Sequence, residues 1–371
     1  MGRRPSELAP QLTYLSTQRG ATALCLWRRL STLDGAPLRM NLAWTGNLQD
    51  NLAEIYAPIR AELEQVEKLL RVYLLNGQPY LQRLTEHGLQ LGGKRLRPAV
   101  LLLAGRACGS LREEHYRMAA VMELIHTATL VHDDVLDGAK RRRHLETINV
   151  RWNTETSVIF GDYLFTIAIE LTTQLGDREV SARVSRAGRR LCEGELRQIA
   201  ERGNFALKEQ EYLEIIEAKT AELYSCAAEL GAYFGGAPHG VRESLAQYGR
   251  EIGIAFQIID DVLDVAGNEE IAGKSLGTDL QKQKPTLPVI RLLQIVPAEE
   301  RRGLLQQLKN PSPENLSRVR EQLVRSGAID YARSKAIEFV NSAVRYLQGL
   351  EPNEGTIGLQ AVASYVVGRQ R

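Results

Sequence analysis

Residues Ala119–Leu136 read AAVMELIHTATLVHDDVL, apolar nearly all the way round a helix, and run into the pentapeptide Asp-Asp-Val-Leu-Asp, Asp133 to Asp137. The same pentapeptide recurs as Asp260 to Asp264 at the end of a second such stretch, Tyr248–Val265. A helix apolar on every face belongs inside a bundle rather than on its surface. On a helix, residues three and four apart are neighbours, so Asp137 stands beside Asp133 and Asp134, and Asp264 beside Asp260 and Asp261. Two acidic claws at the ends of central helices raise each other's pKa and cost free energy unless a cation offsets them. Oxygen donors without Cys or His suit a hard ion such as Mg2+, which binds through one or two carboxylates plus substrate phosphates. A phosphorylated substrate is therefore expected.

Working outward, apolar residues recur every three or four positions from Leu48 on, as in Leu52, Ile55, Ile59, Leu63, Val66 and Leu70, and strand signals are absent. Breaks are expected at Asn76 to Gln78, Gly109 with Ser110, Gly176 to Arg178, Gly235 to Pro238, Gly267 to Pro285, Pro297, Pro311 to Pro313, Gly327 and Pro352 to Gly355. This pattern predicts an all-α protein, a single large helical bundle with a central active-site cavity, over residues 46–371. Residues 1–45 differ. Up to Met40 they carry Arg3, Arg4, Arg19, Arg28, Arg29 and Arg39 against only Glu7 and Asp34. They read as an N-terminal extension, a disordered tail, an organelle transit peptide, or the product of a start assigned too early with Met40 as the first residue.

With 47 Lys and Arg against 45 Asp and Glu, the net charge of +2 gives no global field for nucleic acid or a membrane surface. No apolar run approaches the roughly 18 residues that span a bilayer. Cys25, Cys108, Cys192 and Cys226 are scattered without paired spacing and read as buried thiols of a reducing compartment. A cytoplasmic location follows, or a mitochondrial or plastid matrix if the extension is a transit peptide.

Basic groups flank the first claw. Gly92-Gly93-Lys94-Arg95-Leu96-Arg97-Pro98 places Lys94 and Arg97 at a helix N-terminus, where cations and terminal amides together hold a diphosphate. Arg141-Arg142-Arg143 follows the claw with guanidinium forks suited to phosphate oxygens. With these in view the chain resembles the trans-type polyprenyl diphosphate synthases from about Gly92 to Pro288. The likeness rests on the Gly-Gly-Lys-Arg-Leu-Arg-Pro segment, His126, both aspartate motifs, Arg142-Arg143, Gly161-Asp162, Lys219-Thr220, Phe256-Gln257 and Lys274.

That resemblance implies head-to-tail condensation of isopentenyl diphosphate onto an allylic prenyl diphosphate, with three Mg2+ ions, for which Mn2+ can substitute, bridging both aspartate motifs to the allylic diphosphate. It implies Asp133, Asp137 and Asp260 as main metal ligands, with Asp134, Asp261 and Asp264 in direct or water-mediated support. Arg142, Lys219 and Lys274 would grip the allylic diphosphate, and Lys94, Arg97, His126 and Arg143 isopentenyl diphosphate. Thr220 and Gln257 would face the reacting carbons, and Lys284 would lie at the lip. It also implies a homodimer. Small residues at Thr129 and Ala128, four and five positions before Asp133, imply an open tunnel and a long product, with a geranylgeranyl-type length as the alternative. His132 reads as a hydrogen bonder behind the metal site. Two positions depart from the family pattern: His144 stands where a Gly is usual, and Lys282-Gln283-Lys284 replaces Glu-Gly-Lys. The first is expected to stiffen a turn and the second to tighten loop closure over phosphate. A terpene cyclase would lack the second motif, and a catalytically silent partner subunit would have lost aspartates.

Overall fold

The buried faces of the helices explain their order around a centre. In a computed structural model, which describes residues 48–75, 78–91, 93–267 and 277–369, the helices are α1 (Leu48–Ile55), α2 (Arg60–Leu74), α3 (Pro79–Leu91), α4 (Leu96–Cys108), α5 (Glu113–Leu136) and α6 (Ile148–Arg151). Then follow α7 (Thr154–Thr173), α8 (Arg178–Ala200), α9 (Glu209–Ile216), α10 (Glu222–Phe234), α11 (His239–Ala266) and α12 (Thr278–Gln281). The last are α13 (Leu287–Ile295), α14 (Ala298–Lys309), α15 (Pro313–Arg325), α16 (Ala328–Arg345) and α17 (Glu354–Gly368).

The expected extension at 1–45, and Cys25 with it, lie outside the described residues, as do Gly92 and Lys274. Gly46–Arg371 forms one compact unit. At its centre lie α4, α5, α10 and α11. Every residue from Val100 to Ala104 on α4, and from Met118 to Met122 on α5, is essentially inaccessible. Around them α5 packs on α7, α10 on both α4 and α11, and α11 on α16. No described helix is long and apolar enough to cross a membrane.

Three details differ from the sequence reading. A two-stranded hairpin, β1 (Arg141–Arg142) with β2 (Leu145–Glu146), interrupts the helices just after the first aspartate motif. It was invisible to periodicity because two-residue strands carry no alternation. Its loop, Arg143-His144, has φ of 53° and 68°, the both-positive pattern of a type I′ turn. Cys192 is exposed rather than buried, Cys108 is half-buried and Cys226 is buried. Burial and the neighbouring Glu195 and Glu193 raise the Cys192 pKa, so its thiol is not an activated one. Finally, α9 runs into α10 through a π-helical turn, Glu217–Ala221, which carries Lys219 and Thr220. Such wide turns recur at functional sites.

Candidate active site

The first motif closes α5. Asp137 is the residue after its last turn, with its amide bonded to the Asp133 carbonyl at 2.8 Å. The second motif closes α11, and the chain returns at Gly277, whose amide reaches the Asp264 carbonyl at 2.7 Å. Lys284 Nζ lies 3.1 Å from Asp137 and 3.3 Å from Asp279, while the Asp279 amide donates to the Asp264 carboxylate at 3.0 Å. The two motifs are thus joined through one lysine and one loop.

Within each motif the three carboxylates have different tasks. Asp134 is buried and accepts a forked hydrogen bond from Arg142, Nε at 3.1 Å and Nη2 at 2.9 Å. Burial raises its pKa and Arg142 opposes that rise. Asp261, also buried, accepts from Tyr212 Oη at 2.7 Å and Gln257 Nε2 at 2.8 Å. Burial first, and Asp279 second, push its pKa up to about 8. Asp264 accepts from Thr278 Oγ1 at 2.9 Å and organises the start of α12. Asp133, Asp137 and Asp260 are the more open ones, and each meets a cation. Lys219 Nζ is 3.8 Å from Asp133, Arg202 Nη2 and Lys284 Nζ flank Asp137, and Arg369 pairs with Asp260 while its guanidinium lies over the Phe256 ring.

Lys219 is further held by Glu195 at 2.5 Å and Gln198 at 2.8 Å from α8. Burial alone would lower its pKa, but Asp133 and Glu195 reverse the sign and keep it charged. Thr220 Oγ1 donates to Gln257 Oε1 at 2.7 Å, and Gln257 passes the chain on to Asp261, so the π-helical turn and α11 share one oriented relay.

The second group of cations converges beside Gly93. A Cβ placed there would lie 3.5 Å from Arg143 Nη2 and 3.8 Å from His126 Nε2. Burial lowers the His126 pKa well below its usual value, and Arg97, Arg142, Arg143 and Arg95 lower it further, so the imidazole is neutral. Arg97 stacks on Tyr224 at 4.4 Å and Lys94 stands 5.5 Å from the Tyr365 ring centre. The segment is pinned from behind: Arg95, at φ 55°, bonds Glu67 and buried Glu123, and Tyr56 donates to the Lys94 carbonyl at 2.6 Å.

Of the residues expected from sequence, the described ones fall into these two adjoining groups, and Ala128 and Thr129 lie on the turn of α5 that leads to Asp133. His132 faces the other way. Its Nε2 is 3.1 Å from the Val158 carbonyl and 3.5 Å from Asp162, and its ring stacks on Phe165, so it ties α5 to α7. Glu195, Gln198, Arg202, Tyr212 and Arg369 were not foreseen. Glu195 and Gln198, three apart on a helix, carried a faint signal, and the others none.

Among the described residues no three ligating side chains stand together as a ready-made metal cluster. The donor set nonetheless fits a hard divalent ion shared with phosphate: separate carboxylates, no nitrogen or sulfur beside them, and cationic side chains already drawn to the same oxygens.

The sequence profile of the polyprenyl synthetase family matches residues 78–325, and the chain belongs to that family. It is a prenyltransferase of the trans-polyprenyl diphosphate synthase type. It is 34% identical over 296 residues to an all-trans-nonaprenyl-diphosphate synthase of Rhodobacter capsulatus, covering 80% of this chain and 91% of that one. It is 33% identical over 324 residues to a short chain isoprenyl diphosphate synthase of Methanothermobacter thermautotrophicus, covering 86% and 100%. A polyprenyl synthase of Caulobacter crescentus, solved with calcium and isoprenyl diphosphate, superimposes with a TM-score of 0.83 at 33% identity, covering 88% of this chain and 99% of that one.

Proposed function

We propose that this enzyme condenses isopentenyl diphosphate head to tail with an allylic prenyl diphosphate, in the trans configuration, to build a long-chain polyprenyl diphosphate and release diphosphate. The observation that carries this reading is the apposition of two cation-rich places. One is the acidic mouth joined by Lys284, suited to an allylic diphosphate, and the other the arginine and histidine cluster at Gly93, suited to a second diphosphate.

Asp133, Asp137 and Asp260 would hold divalent ions, with Asp134, Asp261 and Asp264 fixing their surroundings. Bound Mg2+, three ions by the family pattern and replaceable by Mn2+, supplies positive charge to the diphosphate as it departs. Arg142, Lys219 and Lys274 share that task as permanent cations, and the Glu195 and Gln198 contacts aim the Lys219 ammonium. Lys94, Arg97, Arg143 and neutral His126 hold isopentenyl diphosphate, the imidazole as a donor that adds no charge. Because Thr220 Oγ1 gives its proton to Gln257, its lone pairs are left for the electron-poor allylic carbons. Lys284 sits at the lip with both oxyanion partners described above. The nucleophile is the double bond of isopentenyl diphosphate, and the departed diphosphate takes the proton.

Ala128 and Thr129 are small and lie on the turn before Asp133, and the growing chain is proposed to descend there; Ala128 is itself fully buried. The relative from Rhodobacter capsulatus, a nonaprenyl synthase, supports the long product, while the Methanothermobacter one keeps a short product as the second reading. The proposed partner is a second copy of the chain, seated on the α7 face that exposes Ile159 and Ile169 at 67% and 59%. A cytoplasmic setting accompanies this reading.

The test is to incubate the purified chain with isopentenyl diphosphate, farnesyl diphosphate and Mg2+ and to size the product, alongside Asp133→Ala and Ala128→Phe. Loss of turnover in Asp133→Ala and a shorter product from Ala128→Phe are expected. Near-normal turnover in the first would remove the metal reading, and an unchanged length in the second the tunnel reading.

A further inference from the structure

Both carboxylate oxygens of Asp137 are engaged by cations that arrive on different segments. Oδ1 lies 3.2 Å from Arg202 Nη2, just past the end of α8, and Oδ2 lies 3.1 Å from Lys284 Nζ, just past α12. The two segments are tied by a backbone hydrogen bond from the Gly203 amide to the Gln283 carbonyl at 2.8 Å. Lys284 is anchored twice, since Asp279 holds it as well. For Arg202 the ion pair with Asp137 is the one recorded among the described residues, and its Nε is buried without a hydrogen-bond partner.

We propose that Arg202 is a positioning residue that competes with the divalent ion for Asp137 Oδ1, and so sets the metal affinity of the first aspartate motif. This rests on the assignment of Asp137 as a metal ligand made above. An ion entering at Asp137 needs an oxygen lone pair and meets like charge on both sides. Lys284 keeps Asp279 if it yields, but it is enclosed. Arg202 is the more exposed of the two, its side chain 26% accessible, and has no second carboxylate holding it among the described residues. The guanidinium therefore gives way first, and its cost in affinity is the work of moving one partly screened positive charge away from a carboxylate.

The experiment is a titration of the purified full chain with Mn2+ in the presence of pyrophosphate, followed by calorimetry and by the electron paramagnetic resonance of free Mn2+. Wild type, Arg202→Gln, Arg202→Met, Arg202→Lys and Asp137→Asn are compared, with circular dichroism to verify folding. Both neutral Arg202 variants are expected to bind Mn2+ about three- to tenfold more tightly, and Arg202→Lys to stay near wild type. Unchanged or weaker binding in both neutral variants, with Asp137→Asn still weakening binding, overturns the role of Arg202 alone. If Asp137→Asn binds Mn2+ as wild type does, the metal assignment of Asp137 fails and the inference falls with it.

Discussion

Replacing Gly194 by Ala moves the π-helical turn that carries Lys219 and Thr220. A Cβ at Gly194 would stand 2.5 Å from the Lys219 amide nitrogen and 2.9 Å from the Ala218 carbonyl carbon. Both are backbone atoms, so no rotamer change relieves the contact. Ordinary van der Waals contact begins near 3.4 Å, which requires α8 and the turn to separate by about 0.9 Å. Overpacking of this kind costs roughly 1–3 kcal/mol, of which Ala's better helix propensity returns about 0.5–1. The fold survives with its melting point lowered by a few degrees.

The effect on chemistry is larger if Lys219 grips the diphosphate as proposed, because it is aimed from α8 itself by Glu195 and Gln198, and a misplacement near 1 Å at such a group costs on the order of 10²-fold. We expect kcat/KM to fall about 10- to 100-fold in a steady-state assay with isopentenyl and farnesyl diphosphates. Gly188, on the same helix, has nothing within 4 Å of an added Cβ. Gly188→Ala therefore serves as the matched control, with unchanged kinetics and a gain of roughly 0.5–1 kcal/mol in stability. Wild-type kinetics in Gly194→Ala, or an equal loss in both variants, would refute the close-approach argument.

Two further changes probe the surroundings of the site. His144→Gly should stabilise the protein by about 0.5–1 kcal/mol, since relief of a left-handed side chain exceeds the entropy that glycine adds to the unfolded chain; a lowered thermal midpoint would contradict the turn assignment. Asp261 has a folded-state pKa raised to about 8, against roughly 3.9 when unfolded. Between those values the native state binds the extra proton, so its contribution is complete below about pH 4 and is lost as pH rises towards 8. Asp261→Asn has no proton to lose, and its midpoint relative to wild type should rise between pH 5 and pH 8.5. A pH-independent difference would mean that the carboxyl ionises normally.

Much of the fold was legible because Ala119–Leu136 and Tyr248–Val265 are apolar nearly all round, and most expected breaks fall between described helices, although the break expected over Gly267 to Pro285 holds the short helix α12. Periodicity missed the hairpin after α5, where four residues in strand geometry are fixed by the turn between them. It equally missed the division of labour within each motif. Six aspartates in two identical pentapeptides look equivalent on a helical wheel. Arg142, Tyr212 and the α12 loop make Asp134, Asp261 and Asp264 internal supports, while the other three stay open. Those partners lie far away in the chain, as Tyr212 does from Asp261, or on a turn with no periodic signal.

Of the residues that depart from the family pattern, the two that replace glycine fall where the backbone is left-handed, while Lys282, which puts a base where an acid is usual, does not (φ −86°). His144 sits at φ 68° and Gln283 at φ 55°, the one in the hairpin that presents Arg142 and Arg143, the other in the loop that delivers Lys284. Glycine at either position relieves strain of roughly 1–2 kcal/mol and allows the loop to move. A side chain there does the reverse. Gln283 additionally bonds the Lys309 carbonyl at 2.9 Å and, through its own carbonyl, the Gly203 amide. A side chain at either position thus restricts a cation-bearing loop that glycine would leave freer, Gln283 with a hydrogen bond besides, and the Gly203 segment tied to its carbonyl is the one that carries Arg202 to Asp137. A chain with glycine at 283 should hold Arg202 less firmly against that carboxylate. On the proposal above, the metal affinity of the first motif would then respond to a loop residue that lies outside both aspartate motifs.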